Sequence, residues 1–315
     1  MEGYQALREG AAWLALSSRG RIRVTGEDRV RLLHAMCSNH IERLKPGEGC
    51  YAFFLSPQGR ILADAVILAL PDALWIGTEP ETRHSLYAHL DKYIIADDVT
   101  LEDATDETAQ VGVEGPLAGE VLAKVGAPIP AAPYTHASWG DRLVVSFSTT
   151  GQPGCSIVAP AAMRDALVRD LLAAGAAAAS AEDARIVRLE LGRPRYGEDI
   201  SDRWLPHETQ VLSAVHFNKG CYIGQEIVER IRSRGGVHRL LAPLEIESSA
   251  PPPPGAKILL EESEVGEVTS AAYSPARGKM VALGYLRLGE IPQGAALTVA
   301  GHAAFITARQ PLGAG

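Results

Sequence analysis

KGCYIGQE at residues 219–226 is followed by apolar residues at helical spacing, and a pair of glycines at 235–236 ends the run. This pattern predicts a helix that starts at or just after Cys221. The unpaired amides and the positive dipole end of such a helix favour a thiolate, and Lys219 adds a positive charge nearby. From spacing alone, a reactive thiol and a buried structural cysteine are equally open interpretations.

KGCYIGQE resembles the signature octapeptide of the YgfZ family and its mitochondrial iron–sulfur assembly relatives. The resemblance covers most of the chain, because further blocks are similar to that family: VTGED (24–28), SPQGR (56–60), GRPRYGED (192–199), LPHE (205–208) and GEVTS (266–270). It implies the α+β fold of the related glycine-cleavage T-protein. In that fold two α+β lobes surround a central folate site, and a carboxy-terminal β-barrel forms the third lobe.

Hydrophobic periodicity independently predicts α+β lobes in the first part of the chain. Strand-like runs at 50–55 and 60–70 flank the turn Ser-Pro-Gln-Gly, in which proline presets one dihedral and glycine permits a positive one. Strand and helix patterns then alternate as far as residue 191. The alanine-rich residues 173–181 are expected to be a helix end or a connector.

Four prolines and a glycine at 251–255 predict a stiff linker, because proline is excluded from helix interiors and central strands. The short apolar runs between 256 and 308, separated by glycine or proline, fit a small barrel. We therefore expect a T-protein-like folate-binding region of two lobes over residues 1–240 and a β-barrel over residues 241–315.

Charge and composition exclude several classes of protein. The 315 residues carry a formal net charge of −8, which disfavours a general nucleic-acid binder because phosphate binding needs a positive field. Residues 1–20 mix charges with apolar positions, unlike a signal peptide or a membrane span, so we expect a cytoplasmic protein without a membrane partner. The four cysteines are widely spaced and form no C-x-x-C pair, so no metal site is predicted.

The resemblance implies tetrahydrofolate, or a one-carbon derivative of it, as the ligand. A pterin edge presents adjacent N–H donors that one carboxylate can accept, and Glu190 is similar to the T-protein glutamate that holds the pterin. The alternative is a surface glutamate paired with Arg188 or Arg193. Further ligand contacts are expected from Tyr196, Trp204, Tyr222, Gln225, Glu226, Arg230 and Arg239.

Several of these residues have a second interpretation that the sequence leaves open. Trp204 could stack on a pterin, but a large aromatic residue beside a proline is more often part of the core. Tyr222 could form a wall of the site or anchor the following helix. The arginines could bind the glutamate tail of folate, be solvated helix residues, or contact RNA backbone.

Two departures from the T-protein pattern bear on catalysis. After Gly59-Arg60-Ile61-Leu62 the T-protein has paired aspartates, whereas this chain has Ala63-Asp64, so Asp64 is the candidate acid or base. In the block at 149–156, Gln152 and Ser156 stand where the T-protein has glutamates. Because a positioned acid or base contributes ~10²- to 10⁴-fold to a rate, ordinary glycine cleavage is disfavoured.

The leading hypothesis is a YgfZ-type tetrahydrofolate-binding protein that supports iron–sulfur cluster assembly or repair, and iron–sulfur-dependent tRNA modification. Cys221 and Lys219 would be its functional residues, and iron–sulfur client proteins or assembly factors its partners. The alternative is a folate-dependent aminomethyltransferase or demethylase that uses Asp64. A third hypothesis is a cysteine hydrolase or acyltransferase that uses Cys221, with His207, His216 or His238 as the base.

Overall fold

The computed structural model describes residues 2–287, 289, 291–292 and 294–307. Over these residues the chain forms two α+β lobes and a closed six-stranded barrel, which confirms the predicted fold class. Every helix in the described part of the chain is too short or too polar to cross a membrane.

Regular elements alternate along the two lobes and give way to strands in the barrel. The helices are α1 (Glu2–Glu9), α2 (Arg29–Met36), α3 (Arg83–Asp91), α4 (Ala118–Lys124), α5 (Arg164–Ala173), α6 (Ala181–Glu190), α7 (Pro206–Thr209) and α8 (Gln225–Arg234). The strands of the lobes are β1 (Ala12–Ala15), β2 (Gly20–Thr25), β3 (Gly49–Leu55), β4 (Ile61–Ala69), β5 (Leu74–Thr78), β6 (Thr100–Asp103), β7 (Thr108–Glu114), β8 (His136–Trp139), β9 (Arg142–Val145), β10 (Gly154–Pro160) and β11 (Ala177–Ala179). The strands of the barrel are β12 (Leu240–Ile246), β13 (Lys257–Leu260), β14 (Ser263–Ser274), β15 (Lys279–Leu286), β16 (Leu297–Val299) and β17 (His302–Ile306).

The first lobe is built on an antiparallel sheet of order β3-β4-β5-β2-β6. One face packs on α2 and α3 through an apolar cluster that includes Phe54 and Ile67. The predicted hairpin turn forms as expected, since Gly59 has φ +74° and its N–H donates to the carbonyl of Ser56. A β-carbon on Gly59 would lie 2.8 Å from Ile227 of α8, so this turn is packed tightly against the helix that follows KGCYIGQE.

The second lobe is built on a sheet of order β11-β1-β7-β10-β9-β8. Its edge strand corrects one expectation, because Ala177–Ala179 forms β11, which pairs in parallel with β1 instead of being a mere connector. Alanine has low strand propensity, so only the tertiary pairing identifies this strand. The next helix, α6, begins with a capping box between Ser180 and Asp183.

The barrel has the closed order β12-β15-β14-β13-β16-β17. The proline run at 251–255 lies inside it, between β12 and β13, so the expectation of a linker before the barrel is wrong. Prolines are tolerated there because a connection between strands does not need backbone N–H groups to pair with a neighbouring strand. The only residue of the run with an N–H, Gly255, donates it to the carbonyl of Val268. The division at residue 240 stays a prediction, and residues 308–315 of the expected barrel lie outside the described residues.

Candidate functional site

KGCYIGQE folds as a turn before a helix, and this changes the role expected for Cys221. Helix α8 begins at Gln225, four residues beyond Cys221, and Gly224 precedes it with φ +83°. A β-carbon on Gly224 would lie 2.7 Å from the carbonyl oxygen of Ser56, so the turn at the first lobe fixes where the helix starts. The expected placement of Cys221 at the helix terminus is therefore wrong, and its thiol is free and exposed.

Lys219 is a buried structural residue. Its ammonium donates to the carbonyl oxygens of His34, Cys37 (2.7 Å) and Asn39 (2.9 Å), at the carboxy-terminal end of α2. These bonds use all three donors of the ammonium, so none is left to stabilise a thiolate at Cys221. Burial lowers the pKa of Lys219. The activating role expected for Lys219 is not supported.

The other side chains of KGCYIGQE divide into anchors and exposed groups. Tyr222 is buried in an apolar cluster with Phe53 and Val228, which is the anchoring role that the sequence left open. The side-chain oxygen of Gln225 accepts from the Tyr222 amide (3.3 Å) and closes the turn. Glu226 and, one turn further along α8, Arg230 are exposed, and Arg239 is partly buried at the start of the barrel.

Trp204 and Tyr196 are placed by packing inside the protein. The Trp204 ring is buried and stacks on Tyr285 of β15, with ring centres 3.4 Å apart and planes 11° from parallel. Trp204 thus fills the junction between lobes and barrel, and pterin stacking by this ring is not supported. The Tyr196 hydroxyl donates to the carbonyl of Leu62 (2.7 Å) and ties its loop to β4.

Glu190 ends α6 and is buried at a junction of three elements. Its carboxylate accepts from the hydroxyls of Tyr4 (2.5 Å) and Ser274 (2.5 Å) and from the guanidinium of Arg8 (2.6 Å). The alternative of a surface pair with Arg188 is wrong. A pterin-binding role for Glu190 stays a prediction, and it requires at least one of these three bonds to be exchanged.

Asp64 lies on the face of β4 that is directed away from α2 and α3. It shares this face with Val66 and Leu68, because side chains alternate along a strand. Its carboxylate is buried and accepts from the Tyr51 hydroxyl (2.5 Å). Burial raises the pKa of Asp64 to about 6, the nearby Glu79 adds to the rise, and the bond from Tyr51 opposes it. A carboxyl with such a pKa can exchange a proton near neutral pH.

Aromatic and cationic side chains from both lobes surround the Asp64–Tyr51 pair. The Tyr51 ring lies nearly parallel to Tyr134, with centres 6.2 Å apart. The Phe147 ring carries two guanidinium groups over it, Arg19 at 5.3 Å and Arg193 at 5.7 Å. Aromatic faces and guanidinium groups are the kinds of side chain that pack on a flat, partly polar ligand.

A carboxylate between two arginines completes this set of side chains. Glu79 pairs with Arg19 and lies 3.1 Å from Arg195, which also bonds to Glu81 (2.8 Å). Because Glu79 is neutralised by two cations, its effect on Asp64 is partly offset, which agrees with the opposing influence of Arg19 and Arg195 on the pKa of Asp64.

A small cavity lies between the two α+β lobes. It holds about 20 Å³ and is lined by Val66, Leu68, Trp75, Gly77, Val145 and Val158, with Arg19, Gln110, Phe147 and Ser156. Neither Cys221 nor Glu190 lines it. A groove of about 300 Å³ adjoins it at Trp75 and Val158 and is bordered by Arg142. The cavity has room for about one water, whereas the groove approaches the size of small-molecule sites.

Two polar atoms of the cavity wall are buried and have no hydrogen-bond partner among the described residues. The Gln110 amide nitrogen donates to Ser156 (2.7 Å), but its Oε1 is unpaired. The Nε of Arg19 is unpaired as well. Buried polar atoms are nearly always satisfied in folded proteins, so an unpaired acceptor and donor in one cavity indicate a ligand or an ordered water.

Neither Gln110 nor Arg19 is among the site residues predicted from the sequence. Gln110 is a lone amide in the apolar strand Thr108–Glu114, and such a residue is a usable signal. Arg19 lies in no recognisable motif. The block at 149–156 divides in two. Thr149 and Thr150, with Ser148, are structural, because they donate to the buried carboxylate of Glu114, whereas Ser156 lines the cavity.

Two protein-family models together match most of this chain. Residues 2–219 match the family model of the GCVT N-terminal domain, and residues 239–310 match that of the glycine cleavage T-protein C-terminal barrel domain. The chain is 29% identical over 305 residues to a protein of Arabidopsis thaliana named "Putative transferase At1g60990, chloroplastic". That match covers 95% of this chain and 70% of the relative.

A bacterial relative and a bacterial crystal structure are also similar to this chain. The chain is 27% identical over 290 residues to an aminomethyltransferase of Rubrobacter xylanophilus, covering 90% of this chain and 78% of the relative. It superposes on the crystal structure of the glycine cleavage system aminomethyltransferase T from Bartonella henselae with a TM-score of 0.88. That match covers 99% of this chain and 88% of the other at 22% identity, so it shows the fold alone.

Proposed function

This chain belongs to the glycine cleavage T-protein family, a folate-binding superfamily, and on that premise we propose that it binds tetrahydrofolate or a one-carbon derivative between its two α+β lobes. The observation that carries the proposal is the unpaired Oε1 of Gln110 in the wall of the cavity between the lobes. A buried acceptor without a donor is costly in the free protein, and ligand N–H groups would remove that cost.

The side chains that line the cavity carry hydrogen-bonding and aromatic groups that fit a reduced pterin. The cavity itself is too small to hold one. Gln110 would accept an N–H of the ring and Arg19 Nε would donate to it, while Phe147 and Trp75 would pack on its faces. Because the cavity holds about 20 Å³, it would admit a pterin only if some of the side chains that line it moved. When bound, tetrahydrofolate supplies nitrogen atoms that carry a one-carbon unit.

Calorimetric titration with tetrahydrofolate tests this proposal. We expect Gln110→Leu to weaken binding by about 5- to 150-fold, since removing one partner of a buried hydrogen bond costs about 1–3 kcal/mol. Gln58→Leu, on the exposed hairpin turn, is the matched control and should bind as the wild type does. If the folded wild-type protein gave no heat at high micromolar tetrahydrofolate, the ligand would be rejected. Equal affinity of Gln110→Leu and wild type would reject the site.

Beyond folate binding, we propose a YgfZ-type role in the cytoplasm, in which the protein supports iron–sulfur cluster assembly or repair and iron–sulfur-dependent tRNA modification. The support is the resemblance of KGCYIGQE together with an exposed, free Cys221 thiol. Lys219 and Tyr222 are buried on either side of it and hold the turn in place. An accessible thiol on a fixed turn can meet a partner protein, whereas a thiol in the core cannot.

Complementation of cells that lack this protein tests that role. We expect the activity of iron–sulfur enzymes to fall in those cells and to return with the wild-type chain but not with Cys221→Ser. Cys155→Ser is the matched control, because Cys155 is buried and burial raises its pKa to about 11, which keeps it a thiol. If Cys221→Ser restored the activity of the iron–sulfur enzymes fully, the Cys221 thiol would have no part in the proposed role.

A second candidate function is a folate-dependent transferase or demethylase in which Asp64 handles a proton. One observation favours it: Asp64 is buried beside Tyr51 with its pKa raised to about 6. Tyr51 would hold the carboxyl in place, and the burial that raises the pKa would also exclude water. The kinetic consequence of Asp64→Asn separates this candidate from a purely accessory role.

A further inference from the structure

Two histidines and a glutamate meet at the edge of the first lobe: His34 is buried, His40 is half-buried and Glu42 is exposed. None of them lines the cavity between the lobes. His34 lies in the last turn of α2, and His40 and Glu42 follow in the loop that leaves that helix. One possible ligand atom of each residue lies within 4.8 Å of those of the other two. The sequence offered no metal site because its cysteines are scattered, and this cluster contains none.

The fold fixes the two histidines before any ion arrives. Lys219 bonds to the carbonyls of His34, Cys37 and Asn39 and so holds the chain between the two rings in a single shape. The rings of His34 and His40 meet edge to face, with centres 4.6 Å apart. Pre-formed ligands lower the cost of binding because little has to be ordered.

His40 gives an independent indication of a ligand-binding site at this position. Its Nδ1 is buried and, within the described part of the chain, has no hydrogen-bond partner. His34 Nε2 lies 3.7 Å from the Glu42 carboxylate. An unpaired imidazole nitrogen beside a second imidazole and a carboxylate is the donor set that divalent transition metals prefer.

We infer that His34, His40 and Glu42 form a binding site for a divalent transition-metal ion such as zinc or iron(II). Ligand atoms about 2.0–2.2 Å from one tetrahedral ion lie about 3.3–3.6 Å apart, so the three ligand atoms, now within 4.8 Å of one another, must approach by up to about 1.5 Å. Glu42 is exposed and can make that movement by rotating its side chain. Two imidazoles and one carboxylate leave coordination positions open to water on the solvent side.

Binding has a defined local cost. His34 Nδ1 accepts a long hydrogen bond from the Ile41 amide (3.3 Å), so the neutral ring carries its proton on Nε2. Coordination through Nε2 moves that proton to Nδ1, so the bond from the Ile41 amide is lost and two donors face each other. The site is therefore a reversible, accessible one, unlike a closed structural zinc site.

Titration of the purified full chain with Zn²⁺ alone, followed by calorimetry, tests the inference. We expect one Zn²⁺ per chain, and at least about tenfold weaker binding in His40→Gln and in Glu42→Gln, because loss of a ligand costs no less than loss of an outer-shell partner. His84→Gln, on the exposed face of α3, is the matched control and should retain wild-type affinity. This inference does not rest on folate binding, and tetrahydrofolate affinity should be the same in all three variants.

Two results would overturn the inference. One is wild-type Zn²⁺ affinity in Glu42→Gln, which changes only an exposed side chain and should fold normally. The other is a stoichiometry well below one ion per chain in the wild-type protein. If His40→Gln folds poorly, the Zn²⁺ affinity of Glu42→Gln still tests the inference.

Discussion

Asp64→Asn should raise the free energy of unfolding at pH 8 by on the order of 2–3 kcal/mol and leave it nearly unchanged at pH 4. The folded-state pKa of Asp64 is about 6, above the ordinary value of an aspartate, because burial disfavours the charge. The folded state therefore binds this proton more tightly than the unfolded state does. The contribution of Asp64 to stability is complete below about pH 4 and is lost as the pH rises through about 6.

Urea unfolding of wild type and Asp64→Asn between pH 4 and 8 measures this difference. The asparagine still accepts the Tyr51 hydroxyl but carries no charge, so the penalty at high pH disappears. Asp72→Asn is the control, since Asp72 is exposed and its pair with Arg23 (2.9 Å) should contribute less than about 1 kcal/mol. A variant less stable than wild type at pH 8 would show that the buried carboxylate is stabilised rather than strained.

The same variant distinguishes the two proposed functions. If Asp64 handles a proton in a one-carbon transfer, Asp64→Asn should lower the rate of methylenetetrahydrofolate formation from an aminomethyl donor by ~10²- to 10⁴-fold. The carbon of such a donor is already at the oxidation level of formaldehyde, so the transfer to tetrahydrofolate releases ammonia and the carrier and needs no oxidant. Cys221→Ser should leave that rate unchanged. An accessory protein without such turnover would instead show the stability gain with no catalytic loss to measure.

The fold could be predicted from the sequence wherever a local pattern agreed with the final structure. The hairpin around Gly59 combines proline, a positive-φ glycine and flanking apolar strands, and it forms as expected. By contrast, β11 consists of three alanines and exists only because β1 offers backbone partners. The proline run suggests a domain boundary, because composition shows where strands stop but not that β12, which precedes the prolines, belongs to the barrel.

The site was predictable only in part, because its geometry depends on contacts between distant segments. Family resemblance points to Asp64, whose carboxylate is buried beside the Tyr51 hydroxyl, and a catalytic role for it stays a prediction. Cys221 was expected at a helix terminus, but the contact of Gly224 with the hairpin moves the helix start to Gln225. The three carbonyls that occupy Lys219 come from residues about 180 positions away, which no spacing rule reveals.

Asp199→Asn should lower the free energy of unfolding by about 3–5 kcal/mol, because it removes one partner of a buried ion pair. Asp199 is fully buried and its carboxylate accepts from Arg188 (2.7 Å) and the Arg195 amide (3.1 Å) in the lobes. It also accepts from Thr269 (2.6 Å) and Ser270 (2.5 Å) on β14 of the barrel. The amide keeps the shape of the side chain but leaves the buried Arg188 without this charged partner.

Because these bonds join the barrel to the α+β lobes, the loss should also change how the chain unfolds. In urea, the wild-type protein should unfold with the barrel and lobes coupled, whereas Asp199→Asn should show a separate, earlier transition of one part. Asp202→Asn, three residues away and exposed, is the matched control and should change stability by less than about 0.5 kcal/mol. A loss below about 1 kcal/mol in Asp199→Asn would mean that the hydroxyls of β14 and Glu198, 2.7 Å from Arg188, hold the junction without the charge of Asp199.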